Sequence, residues 1–157
     1  MLKKIIGLLI AIAVCLGAGV IGSIFTMPSI PTWYAALNKP FFNPPNWIFG
    51  PVWTLLFILM GIAAYLIWEK GWERKEGKLA LLYFAVQLGF NVAWSIVFFN
   101  YHSPWGAFVV IVILWLLILE TIIRFAKLSK TAAWLLLPYI LWVSFASVLN
   151  LAVALLN

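Results

Sequence analysis

Residues 33–53 read WYAALNKPFFNPPNWIFGPVW. They hold four of the chain's eight prolines, three of its ten tryptophans and one charge, Lys39. Proline lacks an amide hydrogen and clashes with the preceding helical turn, so this stretch cannot begin as a regular membrane helix. It is too aromatic for an ordinary surface loop. The expectation is a loop, 33–46, that lids a ligand cavity, running into a helix that enters the cavity wall from Trp47 to Trp53.

The surroundings decide the fold class. Of 157 residues, 66% are hydrophobic and 9% charged, whereas a soluble domain carries roughly 25% charged residues. A hydrocarbon core about 30 Å thick takes roughly 20 residues per helix. Five spans then nearly exhaust the chain. The reading is an all-α integral membrane protein, a single domain over 1–157. Its five-transmembrane-helix bundle has spans at about 5–27, 45–68, 79–101, 105–125 and 131–156, with a Pro/Trp-rich external loop between the first two.

Pro28 and Pro31 stop the first span, and Thr32 is placed to cap a short turn through Leu37. Residues 69–78 (EKGWERKEGK) form a strongly charged, solvated connection. The basic residues flank apolar runs, which reads as membrane anchoring and argues against a nucleic-acid partner. Lys3, Lys4, Lys70, Arg74, Lys75, Lys78, Arg124, Lys127 and Lys130 fall on one side, and Lys39 alone on the other. The positive-inside bias therefore predicts a cytoplasmic N-terminus, with the first loop and the C-terminus external. A bacterial cell membrane is the expected location. Trp68, Trp72, Trp105 and Trp134 lie near span ends, as interfacial belting requires.

Polar side chains inside spans usually face a bundle interior. Gln87, Asn91 and Ser95 recur at i, i+4, with Trp94 beside them. The same stripe would also arise if Gln87 and Asn91 only hydrogen-bonded between helices. Ala85, Gly89 and Ala93 lie two residues out of step, about 200° around the helix. They form a close-packing face suited to a homodimer. Ala11, Cys15, Gly19 and Ser23 make a similar small-residue stripe on the first span. In the fifth, Pro138, Trp142, Phe145, Ala146, Leu149 and Asn150 form a helical aromatic face.

Conventional chemistry has little to stand on. Cys15 and His102 are each the single residue of their type, which offers no metal site, disulfide or histidine acid–base pair. Glu120 and Arg124, one turn apart, read as an interfacial ion pair rather than a proton-coupling site.

The run WYxxLxKPxFxPPxWxFGPVWTLLF, the Asn91-Val-Ala-Trp94 segment and Pro138-Tyr-x-x-Trp142-x-x-Phe145-Ala146-x-x-Leu149-Asn150 together resemble the TspO/MBR family of translocator proteins, or peripheral-type benzodiazepine receptors. The resemblance covers nearly the whole chain. It implies a membrane receptor or sensor that binds protoporphyrin IX, other haem-type tetrapyrroles and hydrophobic drug-like ligands such as benzodiazepines. The implied pocket takes Tyr34, Trp53, Asn91, Ser95, Trp142, Ala146 and Leu149, with Phe49, Trp94, Phe145 and Asn150 as further candidates. Porphyrin is ligand or substrate, and no cofactor is required. The resemblance also raises light-dependent porphyrin degradation, with Trp53 and Trp142 as the catalytic pair, and leaves ligand transport as an alternative. The Tyr followed by Lys or Arg of the cholesterol motif in animal members is absent from 151–157 (LAVALLN), so sterol binding is not expected.

Overall fold

The computed structural model describes residues 1–157. Five membrane-length spans are built from six α-helices: α1 (Leu2–Thr26), α2 (Asn46–Gly71), α3 (Lys75–Ser95), α4 (Pro104–Leu128), α5 (Lys130–Leu135) and α6 (Leu137–Leu156). The last two share the fifth span. There are no strands, and the all-helical membrane bundle is as the sequence predicts. Leu9, Ile10, Leu55, Leu82, Val109, Leu116, Leu141 and Val148 remain exposed around its girth. In water that surface would be untenable. In a bilayer it is the face presented to lipid.

Three details depart from expectation. The fifth span, read as continuous over 131–156, breaks at Leu136, because Pro138 cannot donate to a carbonyl one turn back. The third span ends in a π-helical turn, Ile96–Asn100, closed by Tyr101 N–H donating to Ile96 O at 3.0 Å. That widened turn buries both Phe98 and Phe99. Thr32 caps nothing: its hydroxyl turns back to Pro28 O at 3.1 Å, and the short 3-10 turn Tyr34–Ala36 has no side-chain cap.

Successive helices run antiparallel through short connections. At one end, here the basic end, Lys4 pairs with Glu69 at 3.1 Å. The charged connection there is tighter than its composition suggests, with Gly71 and Gly77 buried against each other between exposed charged residues. The main core fills the space above this end: Met60, Ile67, Leu114, Ile118, Phe125 and Val143 are essentially inaccessible. At the opposite, loop end, Ser103 caps α4 by accepting from Gly106 N–H at 3.1 Å, and His102 takes the left-handed conformation (φ 54°) that makes the turn possible.

Candidate functional site

The segment between α1 and α2 is pinned at several points. Ser29 Oγ donates to Phe99 O at 2.6 Å, a carbonyl presented by the π turn. Trp33 stacks on His102 with ring centroids 4.5 Å apart. Asn38 N–H donates to Asn157 Oδ1 at 3.0 Å, and Asn157 Nδ2 returns a bond to Asn38 O at 2.8 Å. So held, the segment buries Tyr34 against Phe98 and Phe99. The Tyr34 hydroxyl donates to Asn43 Oδ1 at 3.2 Å. Burial pushes the Tyr34 phenol above its ordinary range, and the Asn43 bond offsets part of that rise. It is a neutral aromatic lid residue.

Beneath Tyr34 lies a cavity of about 610 Å³ between α1, α2, α3 and α6, with Ile111 and Leu114 of α4 behind. This is the size at which small-molecule sites are found. Ten of the eleven residues singled out as ligand-binding from the sequence line it: Tyr34, Phe49, Trp53, Asn91, Trp94, Ser95, Trp142, Ala146, Leu149 and Asn150. Phe145 does not. Its ring packs on Phe42 and on the flank of Trp142, with centroids 6.3 and 5.5 Å away. A three-residue step from Trp142 turns it about 60° to one side, while the four-residue step to Ala146 turns about 40° to the other, so the two side chains leave the helix about 100° apart.

The polar stripe on α3 divides by depth. Gln87 lies outside the cavity, where the interhelical reading holds: its Oε1 accepts from Tyr139 OH at 2.7 Å. Asn91, one turn nearer the loop end, donates from Nδ2 to the same Tyr139 oxygen at 2.8 Å. Asn91 is thus both a cavity-wall residue and the end of a buried Asn–Tyr–Gln chain that fixes its amide. Trp94 and Asn150 are also tied together, Nε1 to Oδ1 at 2.9 Å, and Asn150 Nδ2 donates to Pro104 O at 2.8 Å. Trp142 is the exception. Its indole N–H is buried and has no hydrogen-bond partner.

Sequence reasoning missed the aromatic depth of the site and one of its walls. Phe57, Phe98 and Phe99 line the cavity as well. The α1 stripe read as packing is partly cavity wall, since Gly19 and Ser23 line it. Val20 and Ser23 of α1 and Met27 just after it, with Trp47, Gly50 and Thr54 of α2, both line the cavity and are exposed on the bundle surface. The cavity therefore opens sideways between α1 and α2, where hydrocarbon would lie.

Glu120 and Arg124 play no part in the site. They pair at 2.8 Å near the basic end, with Arg124 over the Tyr83 ring at 4.3 Å. No residue lining the cavity carries a charge.

The model of the TspO/MBR family matches residues 11–156. The chain belongs to the TspO/MBR family. Similar proteins extend over almost its full length. Tryptophan-rich protein TspO of Chlorobaculum tepidum is 45% identical, covering 99% of this chain and 98% of its own. The protein of the same name from Archaeoglobus fulgidus is 47% identical, covering 98% and 99%. Translocator protein of Ovis aries is 40% identical over 75% of this chain and 70% of its own. Family and helices together make this an integral membrane protein.

Proposed function

We propose that the chain is a membrane receptor or sensor that takes flat, hydrophobic aromatic ligands into this cavity. Tetrapyrroles such as protoporphyrin IX are the leading class, and benzodiazepine-type compounds the second. The observation that carries this reading is an uncharged cavity of about 610 Å³ with Trp53, Trp142, Phe49 and Trp94 in its walls and Tyr34 above. Such a slot offers ring stacking and apolar burial. Asn91 and Ser95 supply the few polar contacts that orient a ligand. The side opening lets a ligand arrive from the bilayer. Titrating the protein with protoporphyrin IX while following tryptophan fluorescence tests it, and absence of saturable quenching would remove it.

A second reading follows from Trp53 and Trp142 facing one cavity that holds no ionisable group besides Tyr34. Indoles there can donate an electron to a photoexcited porphyrin, leaving an indole radical cation and a porphyrin radical anion; dissolved dioxygen is the co-reactant that takes up the electron and supplies oxygen for ring opening. Loss of porphyrin absorbance under illumination should then slow by about tenfold or more, 1.4 kcal/mol in barrier, in the Trp53→Phe, Trp142→Phe double variant. An unchanged rate sinks the enzymatic reading. Transport coupled through Glu120 is disfavoured by that residue's distance from the cavity in the fold.

From the positive-inside bias we infer that the basic end faces the cytoplasm and the loop end lies outside, and we propose a bacterial cell membrane as the location. A homodimer through α3 fits its outward face. Ala85 and Gly89 are exposed, Ala93 is half-buried, and Gly89 has nothing near where a Cβ would stand. Gly89→Leu should shift the protein toward monomer in detergent sedimentation without loss of helicity. An unaltered dimer would place the contact elsewhere.

A further inference from the structure

Four buried side chains on three helices form one hydrogen-bonded line: Met60 of α2, Gln87 and Asn91 of α3, and Tyr139 of α6. Gln87 Nε2 donates toward Met60 Sδ at 3.9 Å, the Tyr139 hydroxyl donates to Gln87 Oε1 at 2.7 Å, and Asn91 Nδ2 donates to the Tyr139 oxygen at 2.8 Å. Only the last member, Asn91, lines the cavity.

The direction of this line is set from its far end. A thioether sulfur accepts and never donates, so the side of the amide that Gln87 turns to Met60 must be its N–H. Gln87 Oε1 then takes the single proton of Tyr139. With that proton committed, the Tyr139 oxygen accepts, and Asn91 must meet it with Nδ2. Reversing the line would set Gln87 Oε1 against the sulfur and leave a buried acceptor without a donor. Asn91 Oδ1 is therefore turned away from Tyr139. It accepts no hydrogen bond from the protein and is not sealed from the surface, so its open side faces the cavity that the residue lines. The other polar walls do not supply the complement. The hydroxyls of Ser23, Thr26 and Thr54 donate into their own helices at 3.0, 2.9 and 2.8 Å, and both ends of the Asn150 amide are engaged. Ser95, one turn beyond Asn91, has a hydroxyl that can turn either way.

We propose that Tyr139, directed by Gln87 and Met60, is a positioning residue that fixes Asn91 as a hydrogen-bond acceptor, so that the cavity selects flat ligands with an N–H donor at the edge against α3. The inference rests on the cavity being the ligand site and adds the polarity of the edge that the ligand turns to that helix. A ligand N–H meets Asn91 Oδ1 directly. A ring oxygen in its place sets lone pair against lone pair, and the amide cannot turn to relieve this without giving up its bond to Tyr139.

Carbazole and dibenzofuran are matched probes, the same three fused rings with N–H in one and oxygen in the other. Each is titrated against bound protoporphyrin IX in phosphatidylcholine nanodiscs, with displacement read from the visible absorbance of the porphyrin. Asn91→Leu gives the ratio of the two affinities with no amide present, which takes out any difference in lipid partition. Relative to that ratio, wild type should favour carbazole by about tenfold or more, the effect of one hydrogen bond made against one acceptor opposed. Tyr139→Phe releases the Asn91 amide to turn, so carbazole should weaken, dibenzofuran should tighten and the preference should vanish. Met60→Leu, which removes the sulfur and keeps the volume, should lower the preference without lowering the melting temperature. Equal weakening of both probes in Tyr139→Phe would show that Tyr139 only supports the fold. That result overturns the proposal, as does a wild-type ratio equal to that of Asn91→Leu or failure of both probes to displace the porphyrin, and in each case the cavity reading stands. Failure of protoporphyrin IX to quench wild-type tryptophan fluorescence removes the cavity reading, and the role of Tyr139 with it.

Discussion

Ala146→Phe is expected to abolish tight ligand binding while leaving the bundle folded. Ala146 lies one helical turn from Trp142, on the same face, and lines the cavity across from α2 and α3. A benzyl group there would project into open space rather than into packed core. It would occupy the slot between Trp142 and the other aromatic walls, and a flat ligand cannot share that space. Affinity for protoporphyrin IX should fall by about a hundredfold, some 2.7 kcal/mol. The melting temperature in detergent should hold or rise, because the new ring fills a void. Unchanged affinity would mean that the ligand binds outside the cavity. A joint collapse of affinity and melting temperature would mean that Ala146 is core.

Gly61→Leu should have the largest effect on folding. α1 and α2 cross so closely there that a Cβ on Gly61 would stand 2.8 Å from Ile12 N, nearer than real Cβ contacts come. The obstacle is backbone, so no side-chain rotation relieves it, and the two helices must separate. Gly19 on the same interface meets the ring of Phe57, a side chain that can give way. The expected cost at Gly61 is about 3 kcal/mol or more, at the upper end for overpacking. It should appear as a lower unfolding temperature and loss of monodisperse protein. Gly17→Leu is the control: nothing lies near its Cβ position, so it should be neutral or slightly stabilising through helix propensity. Similar behaviour of the two variants would contradict the close crossing.

Much of this was legible because membrane spans are written in long apolar runs and short polar breaks. The five spans fall where composition and proline place them, and the Pro/Trp-rich segment does put Tyr34 over a cavity. Helical spacing reports the angle at which a side chain leaves its helix, but not how far along the bundle a cavity extends. Gln87 and Asn91 share one face. They differ by about 6 Å of rise, enough to put one in the core and the other at the cavity. Phe145 looked like part of the aromatic face because it is aromatic and near Trp142, yet its angle sends it to Phe42. The π turn has no mark in Ile96–Asn100, since its widened hydrogen bonding answers to the burial of Phe98 and Phe99 by the distant Tyr34. Gly19 and Ser23 were ambiguous for another reason. Small residues let a neighbouring helix come close or leave a space, and only the position of α2 decides which.

We propose that the space between the aromatic walls of α2, α3 and α6 is where a ligand resides. A structure of the protein with protoporphyrin IX bound tests this most directly. The prediction is a macrocycle lying between Trp53 and Trp142, covered by Tyr34, with Asn91 at its inner edge. The contradicting result would be an empty cavity, with the porphyrin on the lipid-facing groove between α4 and α6 that Trp115, Val148 and Leu151 line.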